Sequence, residues 1–271
     1  MKLKNRIRDI WSYRELIRSL VIRDLKVRYR SSILGIAWSW LNPLLMMVVY
    51  TLLFTVFLQN RDIAHYPVFV LCGLLPWNFF QDSIMQSTTS IVGNAHLIKK
   101  VYFPREVLPI SVVLSNLVNF LIALPVFFIL AYATGARMTW AIIILPVTLL
   151  IQVMLMTGLG FLLATLNVFF RDTQIMLGVL MLAWFFLTPV FYPISTVPEQ
   201  ATVLGVTFNA QLWLRRLNPM ASIVASYRDL LYWGVPTGLD FLARTAITAA
   251  LILVVGYLVF YRFQSLFGEE L

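Results

Sequence analysis

Long apolar runs alternate with short polar breaks along this chain, and the runs have the length that crosses a bilayer. They predict spans at about 33–58, 107–134, 140–169, 173–193 and 240–261. A further span starts near Tyr66 and is strongly apolar only to about Phe80. Beyond it Asn78, Asp82 and Gln86 recur every four residues on one helical face, followed by Ser87, Thr88, Thr89 and Ser90. A carboxylate at that depth faces a cavity or a cation, and an arginine of the first 30 residues is the expected partner of Asp82. In the first span Ser39 and Asn42 are polar, and Pro43 removes a backbone donor and predicts a kink. Gly158 and Gly160 predict close helix approach in the fourth.

Before the first span, residues 1–31 show helical rather than spanning periodicity. Leu3, Ile7, Ile10 and Trp11 recur at helical spacing, then Leu16, Ile17, Leu20, Val21 and Leu25; Arg14, Arg18, Lys26 and Arg30 form a separate stripe. This is the pattern of an amphipathic helix lying in the membrane interface. Its cations suit lipid headgroups, an anionic substrate or an acidic partner. Residues 194–239 form the longest stretch between spans and carry many apolar residues, among them Phe208, Trp213, Leu230 and Trp233. They predict one or two short helices re-entering the outer leaflet rather than a free loop. The fold class expected is thus an all-α polytopic membrane protein of one domain, 1–271. It has six transmembrane helices, an N-terminal interfacial helix and short re-entrant outer helices between spans five and six.

Composition agrees: 60% of the 271 residues are hydrophobic and 12% charged, against about a quarter charged in soluble chains. Of the 21 lysines and arginines, ten precede residue 31, which points to a membrane surface and not to nucleic acid. With the N-terminus cytoplasmic, 15 cations fall inside and six, Arg61, Arg137, Arg215, Arg216, Arg228 and Arg244, outside. That bias predicts both termini in the cytoplasm. No cleavable signal peptide is expected, because the first apolar run follows a long charged segment.

Little catalytic chemistry is encoded. The single Cys72 excludes an internal disulfide, and His65 and His96 fall on opposite sides of the membrane, so no metal site is expected. There is no Gly-x-x-x-x-Gly-Lys-Ser/Thr loop, no Ser/His/Asp set and no paired carboxylates. What stands out is Asn94–Glu106, where Lys99, Lys100 and Arg105 alternate with Leu97, Ile98, Val101, Tyr102 and Phe103. Such a segment lies at the cytoplasmic membrane face and needs cover for its apolar side; a simple topology-fixing loop has the same charge. Asn167–Asp172 forms a second short cytoplasmic turn.

Several stretches in order carry a resemblance over nearly the whole chain: Arg28–Trp38 with Leu41-Asn42-Pro43, Gly73–Trp77, Leu97–Glu106, Asn167–Asp172, Asn218-Pro219-Met220 and Tyr227-Arg228-Asp229. The chain resembles the membrane subunit of polysaccharide-export ABC transporters, the O-antigen, capsule and teichoic-acid exporters among type-2 exporter permeases. The resemblance implies two permease copies with two copies of a separate ABC ATPase, which holds ATP and Mg; the permease itself holds no cofactor. It makes Asn94–Arg105 a coupling helix that docks in the ATPase, by way of Asn94, His96, Leu97, Ile98, Lys99, Lys100, Val101, Tyr102, Phe103 and Arg105, with Arg171 and Asp172 as a second contact. The cargo implied is a polysaccharide, often on undecaprenyl pyrophosphate, crossing a bacterial inner membrane between spans one and five. Ring faces stack on sugars, so Trp38, Trp40, Asn42, Tyr50, Phe54, Trp184, Phe185, Phe191 and Tyr192 are channel-lining candidates. Arg14, Arg18, Lys26 and Arg30 are candidates for the pyrophosphate headgroup, since guanidinium groups grip phosphate in two-point fashion. A permease for a drug or small lipid, and an intramembrane acyl- or glycosyltransferase, are the alternatives; the second would need acid/base residues at one depth, and Asp82 stands alone.

Overall fold

The computed structural model describes residues 11–30, 34–57, 63–135, 139–203 and 206–271. Residues 1–10 of the expected interfacial helix, 31–33, 58–62 and 136–138 lie outside these.

Helix α1 (Arg14–Tyr29) is followed by α2 (Trp38–Thr51), which a short 3-10 turn introduces and a π-helical turn at Leu52–Phe57 extends. Then come α3 (Tyr66–Thr89), the short α4 (Ala95–Lys100), α5 (Val107–Ala133), α6 (Leu145–Phe169) and α7 (Thr173–Leu187). The chain continues with strands β1 (Gln200–Val203) and β2 (Val206–Asn209), α8 (Ala210–Leu217), α9 (Pro219–Arg228), α10 (Leu239–Phe263) and α11 (Phe267–Glu270). Five helical stretches are long and apolar enough to cross a membrane: Gly35–Phe57, Tyr66–Thr89, Val107–Ala133, Trp140–Phe169 and Leu239–Glu270.

Helix α2 continues through Pro43, and the backbone departs from α geometry at Leu52. Two expectations need correction. The fifth predicted span, 173–193, is helical only to Leu187. Its 15 residues rise about 22 Å, less than a hydrocarbon core of about 30 Å. The stop is local: Thr188 precedes Pro189, which disfavours helical ψ, and Thr188 is extended at ψ 129°. The outer segment holds the two short helices expected, α8 and α9, but also an antiparallel hairpin that pairs Gln200 with Asn209 and Ala201 with Phe208.

Helix α3 is the hub. It is buried along nearly its whole apolar length and packs on α2, α5, α6, α7 and α9. The α6–α10 contact rests on two glycines. A methyl on Gly256 would lie 2.0 Å from the Gly158 carbonyl oxygen, and one on Gly158 2.6 Å from Leu253 Cα. Gly160 faces Ser87 of α3, where a methyl would lie 3.0 Å from Cβ. Gln152 crosses the core by donating to the Pro76 carbonyl at 2.8 Å and accepting from Tyr227 at 2.9 Å, so α3, α6 and α9 share one buried polar link.

Candidate functional site

The apolar core divides in two. The larger part lies among the spanning helices, and the smaller joins α1, α4, the starts and ends of the spans, and the C-terminal tail. The smaller part is the base on which the predicted coupling segment stands. Leu97 and Ile98 are half-buried against it, and Phe103 is buried. His96, Lys99, Lys100 and Val101 are exposed, and Tyr102 is 94% exposed. Asn94 fixes the segment from both sides: Nδ2 donates to the Ser90 carbonyl at 2.8 Å, and Oδ1 accepts from Arg23 Nη1 at 2.9 Å. Arg105 lies half-buried with its guanidinium 5.9 Å from the Phe267 ring, and burial lowers its pKa against the raising effect of Glu106. Arg171 and Asp172 are exposed at the α6–α7 turn.

Sequence reasoning missed the tail. Phe267 is fully buried, packs on Phe260 at 5.3 Å and meets Phe169 at 6.4 Å, just before the α6–α7 turn. Helix α11 contacts both α4 and α6, so the tail links the two predicted contact segments. The signal available was Phe263, Leu266 and Phe267 at helical spacing ahead of two acids. Glu106 is also fully buried, with Oε1 accepting from Gln264 at 3.4 Å.

Helix α1 carries two kinds of cation. The predicted headgroup set, Arg14, Arg18, Lys26 and Arg30, is exposed, and Lys26 and Arg30 border one concavity with Arg23 and Tyr29. The others face inward. Arg23 pairs with Asp24 at 2.9 Å, and Arg28 donates to Gln86 at 2.9 Å and Asn116 at 2.8 Å. Tyr29 bonds to Ser39 and Asn119, and Ser39 donates to Asn119 at 2.6 Å. The expected pairing of Asp82 with an N-terminal arginine is corrected in part. Arg28 comes near, but it is held by the amides of Gln86 and Asn116, and Asp82 is not ion-paired among the described residues. Asp82 instead lines, with Asn42, Asn78 and Asn119, a cavity of about 60 Å³, room for a water or two.

The channel-lining candidates separate into groups. Trp38 and Trp40 are exposed, and the Trp40 indole donates to the Ile122 carbonyl at 2.6 Å. Asn42 is exposed beside the Asp82 cavity. Tyr50, Phe54, Phe185 and Phe191 pack on one another: Tyr50 stacks on Phe191 at 5.4 Å and 3°, and Phe54 and Phe185 meet the same ring at 5.3 and 5.5 Å. This cluster joins the end of span one to the turn after α7. Tyr192 donates to the Phe186 carbonyl at 2.9 Å. Trp184 donates to Asn218 Oδ1 at 2.8 Å. A groove of about 380 Å³ runs along Tyr50, Trp77, Asn78, Gln81, Gly178 and Phe185. It places polar amides of α3 beside rings of spans one and five. Asn78, Gln81 and Gly178 were not singled out as channel-lining from sequence.

The outer segment is tied to the end of α7 by two side chains. Asn218 caps α9 by accepting from the Ala221 amide at 3.1 Å, holds Trp184, and donates to Thr188 Oγ1 at 2.9 Å. Arg228, 5% exposed, donates to the carbonyls of Pro189, Val190 and Tyr192, and its guanidinium lies 3.8 Å from the Phe69 ring centroid.

A multi-span helical body whose sequence has no nucleotide-binding loop has the form of a transporter's membrane subunit. The family model for "ABC-2 type transporter" matches residues 15–232, and the chain belongs to that family. It is 40% identical over 247 residues to the O-antigen export system permease protein RfbA of Myxococcus xanthus, covering 91% of this chain and 92% of that one. An RfbA of Klebsiella pneumoniae is 32% identical over 261 residues, with 95% of each chain covered. The polysialic acid transport protein KpsM of Escherichia coli is 23% identical over 228 residues, covering 79% of this chain and 80% of that one.

Proposed function

We propose that this chain is the permease of an ATP-driven exporter of polysaccharide, most closely of O-antigen type. Two copies pair with two copies of an ABC ATPase, which binds ATP and Mg and performs the hydrolysis. The protein resides in a bacterial inner membrane with both termini in the cytoplasm, and α7 with the turn after it serves as the fifth of six spans. The cargo is a glycan carried on undecaprenyl pyrophosphate. Its headgroup meets Arg14, Arg18, Lys26 and Arg30, and its sugars pass the aromatic and amide surface of spans one, two and five. Stacking on ring faces with hydrogen-bond exchange at Asn42, Asn78 and Gln81 holds sugars loosely enough to slide. The outer segment 194–239 closes the path between transport events.

The observation that carries this reading is the coupling segment. Lys99, Lys100 and Tyr102 project outward from an apolar base that is continuous with both the spans and the tail. An exposed tyrosine flanked by lysines is an anchor for a partner groove rather than a lipid-facing surface. The test is purification of the tagged chain in mild detergent with quantification of a co-purifying ATP-binding subunit. A stoichiometric subunit, lost on replacing Lys99, Lys100 and Arg105 while the permease stays folded, is the expected result. A folded permease with no such subunit would refute the reading.

A further inference from the structure

Beside the coupling segment lies a concavity of about 910 Å³ that the docking of a partner does not by itself explain. One wall is Ile98–Arg105 and the other is the last turns of α10 with Gln264 and Ser265. Four cations line it, Lys99, Lys100, Arg105 and Arg262, and no carboxylate does. Arg105 has a buried Nη1 without a hydrogen-bond partner, and the adjacent Glu106 is fully buried with one oxygen accepting from Gln264.

The α10 wall continues upward as an apolar stripe. Leu251, Val254, Val255 and Leu258 are spaced by three and four residues, and each is 54–61% exposed. They lead down one helix face to Tyr261 and Arg262 in the concavity. A cationic bowl at the end of a spanning helix, directly below a bilayer-facing stripe, matches one chemistry: a phosphate-bearing headgroup with acyl chains above it. Basic pockets between transmembrane helices on the cytoplasmic side take anionic lipid headgroups in this way.

We infer that the concavity between the coupling segment and the end of span six is a binding site for an anionic bilayer phospholipid. Its phosphate sits among Lys99, Lys100, Arg105 and Arg262, and its chains lie along the Leu251–Leu258 stripe. The occupant is a resident lipid and not the cargo, because α10 packs chiefly on α6 while the proposed cargo surface lies on spans one, two and five. The lipid covers the α10 side of the segment; Tyr102 lines the same concavity and is 94% exposed. This inference rests on the membrane topology and not on the identity of any cargo.

Native mass spectrometry of the full-length permease, with phosphatidylglycerol and phosphatidylcholine of equal chain length as probes, tests it. Phosphatidylglycerol should be retained in preference, at one molecule per chain. Arg262→Gln should weaken retention about fivefold, Lys100→Gln with Arg262→Gln about twenty-five-fold, and Arg262→Lys should restore it. Equal retention of the two lipids, or retention unmoved by the double replacement, overturns the inference. A second measurement leaves every cation in place. Ser265→Cys in a Cys72→Ser background should react with a maleimide more slowly in phosphatidylglycerol vesicles than in phosphatidylcholine vesicles. Protection that is the same in both lipids and appears only on adding the ATP-binding subunit would make the concavity a protein-docking surface and sink the lipid assignment.

Discussion

Replacing Asn218 with alanine removes one side chain that performs three tasks. It takes away the cap on α9, which costs about 1 kcal/mol. It also strips the partner from the half-buried Trp184 indole, and an unmatched buried donor costs about 1–3 kcal/mol. The bond to Thr188 Oγ1 goes with them. The sum is about 2–4 kcal/mol, and for a chain of this size that lowers the unfolding midpoint by about 5–10 °C. Fluorescence-monitored melting in lipid nanodiscs reads it. Trp184→Phe removes the donor from the other side, so the double variant should lose less than the two single losses together, by about 1–2 kcal/mol. Strict additivity of the two losses would refute the claim that this bond ties the outer segment to α7. On the proposed gating role of segment 194–239, export by Asn218→Ala should fall further than its folded fraction, since the tie between that segment and α7 is lost. A fall no larger than the loss of folded protein would limit Asn218 to a stabilising role.

Other replacements probe separate parts. Gly256→Ala places a methyl 2.0 Å from the Gly158 carbonyl; prising α6 and α10 apart should cost about 1–3 kcal/mol, read by the same melting assay, and no loss would mean the helices do not meet there. Phe267→Ala empties a fully buried site and should cost about 3–5 kcal/mol locally, seen as faster hydrogen exchange in α4 and the tail with little change in the spans. Tyr102→Ala should leave the melting point within about 0.5 kcal/mol equivalent, because the side chain is 94% exposed, yet reduce recovery of the ATP-binding subunit at least tenfold in pull-down. Arg28→Ala leaves Gln86 and Asn116 without their cation and should release α1, measured as increased protease cleavage between α1 and α2.

Five spans were legible because each needs only length and hydropathy, and Asn94–Glu106 stood out because cations and apolar residues alternate there in a short break between spans. Where the fifth helix ends was also written locally, in Thr188-Pro189, but the apolar residues beyond it concealed the stop. The cations of α1 could not be sorted by periodicity alone. Arg28 and Arg14 are equally basic, and only the placement of Gln86 and Asn116, some sixty and ninety residues away, turns one inward. The aromatic set shows the same limit. Trp38 and Phe191 look alike as candidates, but the stacking of Phe191 with Tyr50, Phe54 and Phe185 depends on how span one meets the turn after α7.

The burial of Phe267 among residues that begin with Leu20 sets an order on manufacture. A chain leaves the ribosome from its N-terminus, and its parts fold as they emerge. The smaller cluster draws Leu20 from the first helix, Ile91 and Phe103 from around α4, and Phe260 and Phe267 from α10 and α11. Translation must therefore pass Phe267, with α10 in place, before the base of the Asn94–Arg105 segment is complete. A half-made permease stalled on the ribosome presents the lysines and Tyr102 but not the packing that holds them in position. On the proposed coupling role of this segment, recruitment of the ATPase is thereby reserved for molecules whose last helix has packed.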